Sequence, residues 1–93
     1  MNDDPLIRQL REQISDTDRA IIDAINKRLR LVAQLKRYKE SRGIGFLDPE
    51  REEWMLQYLQ RANRGPLSKE GLHELFEEVL DLTKREVQRG EQS

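Results

Sequence analysis

Apolar positions in this chain recur every three or four residues, the period of a helix, and no stretch alternates as a half-buried strand does. From Pro5 the series Ile7, Leu10, Ile14, Ile21, Ile25, Val32 and Leu35 advances in steps of three and four, with Thr17 filling one gap. Neither Gly nor Pro interrupts it, and Pro5 is acceptable in a first turn, so the pattern predicts helix 1 from about Pro5 to Glu40. Gly43 and Gly45 mark a loop from Ser41 to Leu47, and Gly65-Pro66 marks another from Asn63 to Leu67. Between them, Asp48-Pro49-Glu50 reads as an N-cap, a first helical residue and an acid at the positive end of the dipole. Helix 2 then runs to about Ala62 on a stripe of Met55, Leu59 and Ala62. Helix 3 starts with Ser68 as N-cap and carries Leu72, Leu75, Phe76, Val79 and Leu80. It is expected to fray after Val87, leaving Gly90 to Ser93 as a mobile tail.

The fold class is therefore all-α, one domain over residues 1–93 built as a three-helix protomer with a very long first helix. At ~1.5 Å per residue that helix would reach ~54 Å, while a compact domain of this size has a radius of gyration near ~13 Å. The rest of the chain cannot cover it. A second copy can, and antiparallel pairing of two long helices into an intertwined homodimer is the simplest solution. Composition points the same way: at 35% apolar and 38% charged residues, a lone protomer of 93 residues is short of core.

The charge balance narrows the function. A formal net charge of −1 argues against a nucleic-acid or membrane-surface binder, which carries a basic excess. Without cysteine there is no disulfide, thiolate metal site or Cys nucleophile. The acidic N-terminus lacks the basic and apolar regions of a signal peptide, and no stretch is apolar enough to span a membrane, so a cytoplasmic protein is expected. The single histidine, His73, lies off the core face, with no second ligand for a metal and no triad to join. Gly43-Ile44-Gly45 lacks the strand and helix of a phosphate loop, and Trp54 and the two tyrosines read as packing residues.

What remains is a set of charges where a core helix should be apolar. The three-four stepping of helix 1 passes through Ile21, Ile25, Arg28, Val32, Leu35 and Lys39, so two cations occupy seam positions, and Arg11 borders the same face. Burying an unpaired cation costs several kcal/mol, so anionic partners are required. A structural ion pair is the commoner explanation for any single Arg. Arg28 and Lys39, three turns apart, line a slot that suits a small dicarboxylate better than one acid. Glu52 shares the inward stripe of helix 2 and falls one residue too late for a capping box with Asp48. Neutralising Arg28 or Lys39 and accepting a ligand hydroxyl are both open to it, and Arg51 could face the cavity edge. Thr83 is a lone hydroxyl on the apolar face of helix 3. Returning that hydroxyl to the backbone four residues earlier is at least as good a reading as ligand binding.

This constellation resembles the all-helical chorismate mutase family over nearly the whole chain. The stretches that carry the resemblance are Leu10-Arg11-Glu12-Gln13-Ile14 with Asp18, then Lys27-Arg28, Lys39, and Asp48-Pro49-Glu50-Arg51-Glu52. The resemblance implies an intertwined three-helix homodimer that rearranges chorismate to prephenate in aromatic amino-acid biosynthesis, without metal or cofactor. By position it implies that Arg11 of one protomer and Arg28 of the other hold substrate carboxylates, assisted by Arg51 and Thr83. Glu52 and the Asp48 backbone N–H would meet the substrate hydroxyl, and Lys39 the ether oxygen. The family usually has Gln or Glu one turn after the Ser/Thr of helix 3, where this chain has Val87. Gln88 follows, ~100° further round the helix. The departure implies reduced intrinsic activity, or completion of the site by a partner enzyme of the same pathway. Two other readings stay open. One is an isochorismate pyruvate-lyase of the same fold, disfavoured by the Arg51-Glu52 pair. The other is a non-catalytic dimeric helical module, which leaves Arg28 and Lys39 without a reason to sit on the seam.

Overall fold

Each helix begins where a short polar side chain can satisfy the free N–H groups of its first turn. The computed structural model describes residues 4–92, in three helices: α1 (Pro5–Ser41), α2 (Pro49–Ala62) and α3 (Lys69–Gln92). Asp4 Oδ1 accepts from the Leu6 N–H at 2.8 Å, Asp48 Oδ1 from the Arg51 N–H at 3.1 Å, and Ser68 Oγ from the Gly71 N–H at 2.9 Å. The expected N-caps of α2 and α3 are thus in place, with Pro49 in the first turn of α2.

The end of α1 follows from Gly43. Its φ of 68° is a left-handed conformation that costs Gly little and an L-residue with a Cβ much more. That turn lets the Ile44 N–H reach the Lys39 carbonyl at 2.8 Å and the Gly43 N–H reach that of Glu40 at 3.1 Å, the paired bonds of a Schellman cap. The C-terminus of α3 corrects the sequence expectation. The helix does not stop after Val87 but continues through Gly90 to Gln92, while Ser93 of the expected tail lies outside the described residues. A Gly inside a helix costs only about 1 kcal/mol against Ala, and Arg89 offsets part of it by pairing with Glu86 at 3.0 Å. Its charge also suits the negative end of the helix dipole.

The chain divides into two compact units between Leu31 and Val32. The first is helical from Pro5 onward, and no residue of α1 is buried. Leu10, Ile14 and Ile21 of the periodic stripe are all exposed. The second unit holds the last residues of α1, the loop, and α2 packed antiparallel on α3. Two contacts fix that pairing from opposite ends: Gln60 Nε2 donates to the Lys69 carbonyl at 2.9 Å, and Glu52 meets Lys84 at 3.3 Å. Among the described residues Leu72 and Val79 are the buried apolar ones, at 5% and 9% exposure, with Thr83 beside them at 7%. Spacings of seven and four put these three on one face of α3. With so small a core, Leu72→Ala is expected to destabilise by about 2–3 kcal/mol, read as a lower urea midpoint at constant m-value.

Candidate functional site

Lys39 sits in the last turn of α1, where the Schellman cap fixes the backbone that carries it. Its half-buried side chain turns toward the following loop, and Nζ donates to the Phe46 carbonyl at 3.4 Å. Lys36, one turn earlier, lies 5.7 Å from the centre of the Phe46 ring. Phe46 thereby ties the loop to both cations. A long weak bond to one neutral carbonyl leaves most of the ammonium's donor capacity for a ligand.

The first turn of α2 holds the next three groups. Asp48 is committed through its side chain to the cap. Arg51 is exposed and lays its guanidinium over the Trp54 ring at 4.3 Å, and Trp54 stacks on Tyr58 at 5.4 Å between centres, with 4° between ring planes. Stacking uses the face of a guanidinium and leaves its N–H edge free to meet a carboxylate. The aromatic pair departs from the expectation of packing residues, since Trp54 and Tyr58 are about half exposed and packed on each other. The i, i+3 and i, i+4 spacings of Arg51, Trp54 and Tyr58 could have shown this ladder.

Glu52 is half-buried, as its stripe position implies, and it forms an ion pair with Lys84 of α3. Spacing along one helix cannot foresee a pair set by the α2–α3 register. Thr83 is buried, and its Oγ1 donates to the Val79 carbonyl at 2.6 Å. The backbone-bonded reading is therefore the one observed. Val87 is half-buried one turn on, and Gln88 is exposed. Because α3 is regular through both, Gln88 stays well round the helix from the Thr83 face.

Lys39, Asp48, Arg51, Glu52, Thr83 and Val87 thus all belong to the second unit. Arg11 and Arg28 belong to the first, where Arg11 is exposed and Arg28 half-buried. His73 is exposed and pairs with Glu77 at 2.8 Å. Among the described residues no cluster of His, Cys, Asp and Glu could hold a metal ion, and no helix is long and apolar enough to cross a membrane.

A family model described as chorismate mutase type II matches residues 10–88, a span that takes in every one of these groups. The chain belongs to that family. It is 32% identical over 85 residues to a bifunctional chorismate mutase/prephenate dehydratase of Stutzerimonas stutzeri, covering 86% of this chain and 23% of that protein. It is 38% identical over 81 residues to the T-protein of Haemophilus influenzae, covering 86% of this chain and 20% of that one. The chain thus spans under a quarter of the length of these curated relatives. Solved structures match along nearly their full length. A chorismate mutase of Thermus thermophilus (form I) superposes with a TM-score of 0.80 at 35% identity, over 83% of this chain and 96% of that one. Form II gives 0.83 at 34% identity, over 89% and 94%. The all-α architecture of this chorismate mutase family member is thereby shared with solved enzymes of similar size, while its sequence likeness extends to one segment of much larger proteins.

Proposed function

We propose that this chain is a chorismate mutase, an isomerase that rearranges chorismate to prephenate in aromatic amino-acid biosynthesis, working in the cytoplasm as an intertwined homodimer. The observation that carries the reading is the match to a solved chorismate mutase over 96% of its chain, joined to the presence of Arg11, Arg28, Lys39, Arg51, Glu52 and Thr83 at positions where the resemblance requires them.

Chorismate is a dianion bearing an enol ether and a hydroxyl. In the rearrangement the ether C–O bond breaks as a C–C bond forms at the far end of the enolpyruvyl group, and no proton or electron leaves the molecule. The protein has to hold the folded conformer in which the two carbons meet and to stabilise the negative charge that grows on the ether oxygen. Arg28 and the partner subunit's Arg11 anchor the two carboxylates, with the stacked Arg51 and the Thr83 hydroxyl assisting. Glu52 and the Asp48 N–H take the hydroxyl, and Lys39 faces the ether oxygen. A rate enhancement of ~10⁶ needs about 8 kcal/mol, within reach of several charge-assisted contacts held in a dry slot.

Exposure along α1 supports the homodimer: no residue of that helix is buried, and Leu10, Ile14 and Ile21 of its apolar stripe stand exposed, as a face awaiting a second copy would. Product identification after incubation with chorismate tests the reading. Prephenate supports it, pyruvate release with isochorismate supports the lyase, and no reaction supports a non-catalytic module.

Val87 favours one refinement. Its side chain can donate nothing to the ether oxygen, so Lys39 works without a second donor, or a partner enzyme supplies one. Val87→Gln is expected to raise kcat by about tenfold, the worth of roughly one hydrogen bond gained in the transition state. Unchanged turnover in steady-state assays would count against the assignment of Val87 to the ether-oxygen end.

A further inference from the structure

We infer that Lys84 is a positioning residue for the substrate hydroxyl contact. Its ammonium, 3.3 Å from Glu52 Oε1 across the α2–α3 interface, holds that carboxylate in one place and cancels its charge toward a dianionic ligand. The inference rests on the chorismate mutase reading.

The need for such a residue follows from Glu52 itself. A carboxylate that accepts a hydrogen bond from the substrate hydroxyl must stand near a molecule carrying two negative charges, and like charges in a partly desolvated slot repel strongly. A cation against the outer oxygen turns that full charge into a dipole and leaves the second oxygen for the hydroxyl. Glu52 also has three rotatable side-chain bonds and a half-exposed head, so without a fixed partner it would sample several rotamers, and ordering it would weigh on binding.

Lys84 is well placed for this task because the residue before it is locked. Thr83 is buried at 7% exposure and hydrogen-bonded to Val79, which anchors the turn of α3 that carries Lys84. The pair itself is open to water, with side-chain exposures of 43% for Lys84 and 34% for Glu52. An ion pair so exposed contributes little to stability. Its loss should therefore register in ligand binding and leave the fold intact.

Steady-state kinetics with chorismate on the parent, Lys84→Met, Lys84→Arg, Glu52→Gln and the Lys84→Met/Glu52→Gln double variant test this. Lys84→Met keeps the aliphatic stem and is expected to raise KM about tenfold with kcat within about twofold, the signature of lost uniform binding. Lys84→Arg restores KM to within about twofold of the parent, because it returns a cation to the same carboxylate. In the Glu52→Gln background, Lys84→Met adds no further rise, since a neutral amide needs no counter-charge. Unchanged KM in folded Lys84→Met overturns the inference while the parent's activity stands. An equal rise in the Glu52→Gln background does the same, because Lys84 would then act on the ligand directly. If Lys84→Met does not fold, Lys84→Gln is read in its place, and failure of both to fold makes the pair structural. A parent that leaves chorismate unchanged removes this inference and the proposed function together.

Discussion

Refolded together in equal amounts, Arg11→Ala and Arg28→Ala chains are expected to recover about a quarter of the parent's turnover, although each alone retains no more than about a thirtieth. The loss in each variant follows from truncating one partner of a desolvated charge pair, worth about 2–5 kcal/mol, or roughly thirty- to several thousand-fold in kcat/KM. The recovery follows from two-fold symmetry. If each site takes Arg11 from one protomer and Arg28 from the other, a mixed dimer concentrates both lesions in one site and leaves its second site intact. Random pairing makes about half the dimers mixed, each with one good site of two. Were Arg11 and Arg28 to serve the same site from one chain, no combination of the variants would restore activity. Chorismate turnover of the mixture, with a parent-only refolding control, decides between the two arrangements.

Lys39→Met should lower kcat by about 10²–10³ with KM changed only a few-fold. Removing a fixed donor from a charge that develops in the transition state costs about that much, and an interaction made only there lowers kcat and kcat/KM equally. The structure adds a reason to expect so clean a separation. Lys39 Nζ is tethered by a single long bond to the Phe46 carbonyl, so methionine leaves at most one weakly solvated acceptor behind. A tenfold rise in KM at unchanged kcat would make Lys39 a third carboxylate anchor and would leave the ether oxygen without an assigned cation. Stopped-flow measurement of chorismate consumption under saturating conditions separates the two outcomes.

Much of this fold can be read from local chemistry. Asp48 with Pro49, Ser68 and the glycine at position 43 each specify a helix boundary within one turn, and the structure has those boundaries. The helical period of α1 is equally plain. Local chemistry misleads at α3, where Gly90 suggests an end that the Glu86–Arg89 pair and the absence of proline override. The candidate site divides along the same line. Arg28 and Lys39 stand out because they interrupt a stripe within one helix, and Thr83 because it lies alone on another. Glu52 stands out too, yet its partner Lys84 does not, since two helices meet at a register that neither sequence segment states. The Arg51–Trp54–Tyr58 ladder lies between these cases, local in spacing but masked by the habit of reading aromatic residues as core.

The small buried core of the second unit bears on how such a chain persists in a cell. With Leu72 and Val79 as its buried apolar side chains, an unassembled protomer holds little of the burial that makes a chain resist proteolysis, and under the proposed homodimer most of that burial arrives on association. Folding and dimerisation then form one second-order event, and apparent stability rises with protomer concentration. Survival should therefore depend on synthesis rate: newly made chains at low abundance are degraded before they meet, whereas at higher abundance they escape as pairs. Active enzyme would accumulate more steeply than the message that encodes it, giving a threshold in expression that no regulatory site on the protein is needed to create.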